Sequence, residues 1–305
     1  MPYRFTNPFS AAGNWYKGAL HAHTKESDGG LTPVEAANHY KTGGFDFLAI
    51  TDHNKQTVID SSVFNAKDFL LIPGEEIDVT YNGLYHLVAI NAKGVSGFTP
   101  DERKGMHPQK VIDRIKTLGG EVILAHPYWS NSSIENTKLC EGLLGVEVYN
   151  HGCEVETGNG HSMVHWDDLL RIGKTYFGFA ADDAHMYGTF DYRPSDALGG
   201  WTMVKAESLT VDAVMQAIRA GNFYASAGPV IKNIAVNGDT IVVETSPVRS
   251  ICFRTPHWGG WRIERPSGEL IERAEFTPKN TVRCLRVECT DNRGRMAWAN
   301  PMWVL

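Results

Sequence analysis

Polar and apolar positions fall into two rhythms along this chain. Up to about residue 229, short and largely continuous apolar runs alternate with segments of helical spacing. The runs at 15–20, 45–51, 69–72, 84–91, 122–125, 146–149, 175–180 and 201–204 have the length and continuity of buried strands. Helical segments lie between several of them. Thr32 is placed to cap the first, with Pro33 in its opening turn, Glu35 to complete a capping box, and Gly43-Gly44 to end it. Pro108 opens a second helix that Gly119-Gly120 closes. Residues 162–172 form a third, and the last runs from a Thr210 cap to Gly221. Residues 101–107 and 152–160 read as loops.

After Gly228-Pro229 the rhythm changes. Short β-branched runs recur at 231–236, 240–244, 250–254, 261–264, 282–289 and 298–304, with no helical segment between them. Asn237-Gly238 signals a hairpin, and Asn292-Arg293-Gly294 a turn. The first rhythm predicts an α/β fold on a parallel sheet, open or closed into a barrel. The second predicts a small antiparallel β-sandwich-like domain. The boundary near Pro229 separates 1–229 from 230–305. There is no internal repeat and no low-complexity segment.

Composition narrows the function. The 305 residues are 42% hydrophobic and 21% charged, enough for one large domain and a small one. The net charge is −6, and no block of Lys or Arg stands out. Long nucleic acid is therefore disfavoured as a partner, while a pocket for a single phosphate remains open. No run is long and apolar enough to span a bilayer, and the first residues lack a signal-peptide core, so no membrane association is expected. Cys140, Cys153, Cys252, Cys284 and Cys289 are scattered without a C-x-x-C, the pattern of reduced thiols in a cytoplasmic protein. The oligomeric state is not readable.

The candidate chemistry begins at His21-Ala22-His23, behind the first apolar run. On a strand, residues two apart point to one side, so both imidazoles can face one point. A lone His-x-His describes a structural pair better than a ligand pair. Here other runs also end in ligand types: His53, Glu76, His126, and Asp183 with His185. In parallel α/β architectures the C-terminal strand ends share one face, where active sites form. Imidazoles mixed with carboxylates suit zinc, manganese or iron, and more than four ligands imply more than one ion.

The set His21-x-His23, Ser27-Asp28-Gly29, Thr51-Asp52-His53-Asn54, Pro73-Gly74-x-Glu76-Ile77, His86, Ala125-His126-Pro127 and Asp183-x-His185 resembles the polymerase and histidinol phosphatase (PHP) family of metal-dependent phosphoesterases. The later stretches Gly221-x-x-Tyr224-Ala225-Ser226-Ala227-Gly228-Pro229 and Ala297-Trp298-Ala299-Asn300-Pro301 resemble its carbaryl-hydrolase-like metallohydrolase branch. The resemblance implies a distorted (β/α)7 barrel holding two or three divalent ions. His21, His23, Glu76 and Asp183 would hold the first. Glu76 would bridge to a second, completed by His86 and His126. Asp28, His53 and His185 would hold a third. The family spacing selects Glu76 over Glu75, which points to the other side of an extended backbone. Some family members carry His where this chain has Asp28, a harder ligand.

The expected activity is hydrolysis of a small phosphate ester, with Asp183 and His185 as catalytic residues. The rivals are hydrolysis of a carboxylic ester, carbamate or amide by the same centre, and a metal-binding module without turnover. A cradle of Lys or Arg would favour phosphorus; an apolar pocket of Tyr128, Trp129 and Trp201 would favour carbon. Asp52 and Asp182, beside candidate ligands, read either as partners that orient imidazoles or as capping carboxylates. His151, Tyr128 and Arg193 are candidate substrate contacts. Lys25, Arg103 and Lys104 are loop cations within reach of the barrel mouth, and Glu147 and Asn150 are expected to line the pocket. His39 reads as structural and His107 as a helix cap.

Overall fold

The computed structural model describes residues 3–4, 7–64, 67–187, 194–279 and 282–304. Its elements follow the apolar runs and caps closely. They are β1 (Tyr3–Arg4), β2 (Asn14–Ala19), α1 (Pro33–Thr42), β3 (Phe47–Ile50), β4 (Leu70–Thr80), β5 (Leu84–Ile90), α2 (Pro100–Arg103), α3 (Pro108–Thr117), β6 (Glu121–Leu124), α4 (Ile134–Thr137), β7 (Gly145–Asn150), α5 (His151–Thr157), α6 (Met163–Arg171), β8 (Phe177–Ala181), β9 (Trp201–Ala206), α7 (Val211–Arg219) and β10 (Phe223–Ser226). The Thr32–Glu35 capping box forms, and the His107 ring accepts from the Gln109 amide at the start of α3.

The sheet runs β9-β2-β3-β4-β5-β6-β7-β8. It is mixed rather than parallel. β2/β3, β3/β4, β6/β7 and β7/β8 are parallel, whereas β2/β9, β4/β5 and β5/β6 are antiparallel. The reason is local. β4 turns directly into β5 over Tyr81-Asn82-Gly83, where Asn82 and Gly83 both take positive φ. So short a connection joins only antiparallel strands. The chain just after β2 meets the chain just after β8 at the site, where His23 N–H donates to the Ala184 carbonyl (2.9 Å) and Asp183 N–H to that of His21 (3.0 Å).

Three further expectations are corrected. β4 does not stop at residue 72: it passes through Pro73 to Thr80, so Glu76 lies inside a strand instead of after one. The strand tolerates Pro73 where its neighbour β3 ends at Ile50. The stretch 101–107 begins within helix α2, because Thr99 and Glu102 form a second capping box. The stretch 152–160 is largely helix α5: the Asn150 side chain accepts from the Cys153 amide, and left-handed Gly158 ends the helix.

One core cluster joins Leu20, Phe47, Ile72, Val88, Ile123 and Phe179 of the sheet to Val214, Met215 and Ile218 of α7. The C-terminal elements are β11 (Ile231–Asn237), β12 (Thr240–Val248), β13 (Ser250–Arg254), β14 (Trp261–Glu264), β15 (Ile271–Phe276), β16 (Cys284–Thr290), β17 (Met296–Ala299) and β18 (Met302–Val304). β11, β12 and β15 form a separate three-stranded sheet. The others join the main sheet, because β17 pairs with β10, which pairs with β9. The run 298–304 is two strands, interrupted at Asn300-Pro301. β15 escapes the sequence pattern because four of its six residues are charged or Ala. All five cysteines are free, and among the described residues no helix is long and apolar enough to cross a membrane.

Candidate metal centre

The site is assembled where β2, β3, β6 and β8 end and where β4 and β5 run side by side. Glu76 occupies its middle. Alternation along β4 sends the two adjacent glutamates apart: Glu75 accepts from the Ser96 amide and hydroxyl, both at 2.7 Å, and Glu76 turns to the histidines. Both are buried. One Glu76 oxygen, Oε2, lies 3.2 Å from His21 Nε2, 3.1 Å from His23 Nε2 and 3.2 Å from His53 Nδ1. Asp183 Oδ1 joins them, 3.2 Å from His21 Nε2 and 3.0 Å from His23 Nε2, and the two Nε2 atoms are 3.2 Å apart.

These separations match donor atoms around a shared cation. Ligands about 2.1 Å from one ion sit about 3.0–3.4 Å from each other. A second observation fits the same reading: Glu76 Oε2 and His53 Nδ1 are buried and have no hydrogen-bond partner. Orphaned buried polar atoms are costly unless something else satisfies them.

Two further groupings adjoin the first. Glu76 Oε1 lies 2.8 Å from His86 Nδ1 and 3.3 Å from His126 Nε2. Asp183 Oδ2 lies 3.5 Å from the same His126 nitrogen. On the outer side, Asp28 Oδ2 lies 3.5 Å from both His53 Nε2 and His185 Nε2, and Asp28 Oδ1 lies 3.6 Å from His23 Nδ1. The described His, Asp and Glu side chains thus form several clusters able to coordinate ions. The structure adds two members that sequence reasoning did not assign. Cys153 Sγ groups with His126 and Asp183, and Glu147 with His21 and His126.

Charge explains the proton affinities. Burial disfavours a charged His21, but Asp183, Glu76 and Glu147 outweigh it and hold its pKa well above the ordinary value. His23 is likewise pushed up to about 9, against its burial, by Asp183 and Glu76. Burial pushes the carboxyls of Glu76 and Asp183 upward, yet the surrounding imidazoles hold both well below their usual range. The carboxylates call for positive charge, and protons and cations compete to supply it.

Of the two roles open to Asp52 and Asp182, the structure shows the capping one. Asp52 and Asp182 bond to no imidazole. Asp52 accepts from the Thr24 amide and the Ser27 hydroxyl; Asp182 accepts from the amides of Leu198, Gly199 and Gly200. They pin loops. Glu147 orients His21 instead, and Asn150 Nδ2 donates to Glu147 (2.8 Å) and Asp183 (3.2 Å). Backbone strain gathers here as well: Asp183 has φ 54° and His126 φ 21°. Gly152 lies so close that a Cβ on it would meet the Asp183 carbonyl oxygen at 2.8 Å.

Seven of the nine candidate ligands line a cavity of about 260 Å³; the fully buried His21 and His23 do not. Trp129, Glu156, Tyr187 and Asp196 complete its mouth, and among its described lining residues none is Lys or Arg. His151 turns aside, with its ring nitrogens on Tyr149 Oη (2.9 Å) and the Ser195 carbonyl (3.1 Å). Tyr128 packs edge-on to His165, and Trp201 meets Phe45 edge to face with the Lys17 ammonium over its ring. Arg103 is held by Asp78. Arg193 lies outside the described residues.

No family model matches the chain. An uncharacterized protein of Methanocaldococcus jannaschii is 29% identical over 148 residues, covering 44% of this chain and 81% of that protein. A crystal structure from Bacteroides vulgatus, of a two-domain protein containing a predicted PHP-like metal-dependent phosphoesterase, superposes with a TM-score of 0.52 at 16% identity, covering 91% of this chain and 90% of that one. A second, from Bifidobacterium adolescentis and assigned as a metal-dependent phosphoesterase, has a TM-score of 0.44 at 18% identity, over 67% of this chain and 96% of that one. The chain thus has an α/β fold related to the PHP-like metal-dependent phosphoesterases, with clusters of His, Asp and Glu suited to several divalent ions.

Proposed function

We propose that this protein is a metal-dependent hydrolase of small phosphate esters, working with two or three ions of zinc, manganese or iron. The observation that carries the reading is the set of donor atoms packed 3.0–3.2 Å apart around Glu76 Oε2 and Asp183 Oδ1. In this reading His21, His23, Glu76 and Asp183 hold the first ion. Glu76, His86 and His126 hold the second. Asp28, His53 and His185 hold the third. Bound there, such ions polarise phosphoryl oxygens and make hydroxide available from water near neutral pH.

The chain's own residues do the rest. Glu147 fixes the His21 ring, and the Ser130 hydroxyl, 2.9 Å from Nδ1, fixes that of His126. Nδ1 of His185 is tied to the Asp183 carbonyl at 3.0 Å, which leaves Nε2 for an ion or for a proton to the leaving oxygen. Burial opposes a charged His185, but Asp28 and Asp183 raise its pKa. Asp183 sets the spacing between the first two groupings through its two oxygens. His151, Tyr128 and Arg193 belong to the reading as outer substrate contacts only. Of the three aromatic residues that would make an apolar, carbon-directed pocket, Trp129 alone lines the cavity. The finer placement in the carbaryl-hydrolase-like branch is part of the proposal. It is supported by the two later motifs, which lie on paired strands with Ala225 opposite Trp298.

The test is elemental analysis of the purified protein, with assays of phosphomonoesters, phosphodiesters, carboxyl esters and carbamates before and after chelation. We expect at least two ions per chain and turnover of phosphate esters that is lost with them. Full activity after metal stripping would overturn the reading, and turnover of carbonyl substrates alone would move it to carbon.

A further inference from the structure

We infer that Trp129 is the wall against which a flat, uncharged part of the substrate stacks, so that the centre selects aryl over alkyl or sugar esters. The inference rests on the reading of the cavity as a site for a metal-bound ester and names the group attached to it. The chain offers the cavity mostly imidazoles and carboxylates. Trp129 is the large apolar exception beside the second grouping, its ring centroid 5.8 Å from that of His86 and 5.1 Å from that of His126, edge to face with both.

Three features make it a built surface rather than a loose side chain. First, its one polar atom is already engaged, since Nε1 donates to Glu156 Oε2 at 3.1 Å. What the indole shows the cavity is therefore hydrocarbon. Second, the turn carrying it is pinned at both ends: Ser130 N–H donates to the His126 carbonyl (3.1 Å) and Ser132 N–H to that of Pro127 (2.8 Å). The ring is thus placed by the same turn that places a candidate ligand. Third, the indole remains 37% exposed. Open apolar surface beside so polar a site gains most by covering another apolar face.

Charge sets the character of the stacked group. Glu156 and Asp196 stand at the same mouth and disfavour a second anion there. Tyr187 also lines the cavity, its ring 5.6 Å from that of His185 and stacked with it.

The test uses two probes of equal charge, phenylphosphonate and methylphosphonate, titrated calorimetrically into metal-loaded protein whose metal content is checked for each variant. Wild type should bind phenylphosphonate about tenfold more tightly, the size of a well-formed aromatic contact. Trp129→Ala should bring the two within about twofold, and Trp129→Phe should keep most of the preference. Equal affinities in wild type, binding of neither probe, or an undiminished preference in Trp129→Ala would overturn the inference. A clear preference in a protein that hydrolyses no ester would instead support the wall and overturn the hydrolase reading.

Discussion

Glu147 and His21 stand 126 residues apart in the chain and 2.8 Å apart in the fold, carboxylate Oε1 against imidazole Nδ1. The other carboxylate oxygen accepts the backbone N–H of His126 at 3.0 Å. One buried carboxylate therefore orients the ring of one candidate ligand and the main chain of another. Nδ1–H donation to Glu147 leaves the His21 Nε2 lone pair directed at Glu76 and Asp183, which is where an ion would sit.

Glu147→Gln keeps the shape and removes the charge. We expect metal affinity to fall about 10- to 100-fold, and further in Glu147→Ala. Competition against a chromophoric chelator measures it. Affinity equal to wild type would show that Glu147 does not tune the centre.

The adjacent glutamates provide an internal contrast. Glu76 contributes one oxygen to each of two donor groupings, whereas Glu75 bonds Ser96. Glu76→Ala should lose at least one ion per chain by elemental analysis, together with activity. Glu75→Gln should retain the full complement. Equal loss from both variants would mean that general unfolding, and not ligation, controls metal content.

Arg286 is fully buried and pairs with Asp167 and Glu288 while stacking 4.5 Å over the Trp166 ring. The same Asp167 binds Arg254 at 2.9 Å, so one carboxylate on α6 ties down both β13 and β16. Asp167→Ala leaves buried Arg286 with Glu288 alone and releases the half-exposed Arg254 to solvent, and should cost about 1.5–3 kcal/mol in urea unfolding. Its metal content should stay at the wild-type level, because this network lies apart from the donor clusters.

His165 gives the acid side of the stability curve a definite sign. Burial lowers its pKa from 6.5 to about 4, with Asp168 opposing. Between those values the unfolded chain takes up a proton that the folded chain refuses. Stability is therefore lost as pH falls below about 6.5, and this contribution levels off below about 4. His165→Gln removes it. From neutral pH to about pH 4 the variant should gain on wild type by about 3 kcal/mol, read from urea midpoints at each pH. A constant difference would show that His165 is not buried as a neutral ring.

The sequence alone carried the helix caps, the strand-and-helix alternation, the later run of β strands and the candidate ligands, and for one reason: each is written in neighbouring residues. His21-x-His23 and the Thr32–Glu35 box are local patterns, and local patterns are legible without the fold. Even the divergence of Glu75 from Glu76 follows from strand alternation. What tertiary structure decided depends on residues far apart. The β4–β5 hairpin makes the sheet mixed and puts Glu76 inside a strand instead of after one. The supporting carboxylate is Glu147 rather than Asp52 or Asp182, because only folding shows which acid meets a ring and which meets a loop amide. Trp129 reaches the cavity while Tyr128 and His151 turn away, although all three flank candidate ligands or strand ends in sequence. Direction at a turn is set by backbone dihedrals and by the hydrogen bonds that lock them, and neither is encoded in residue type alone.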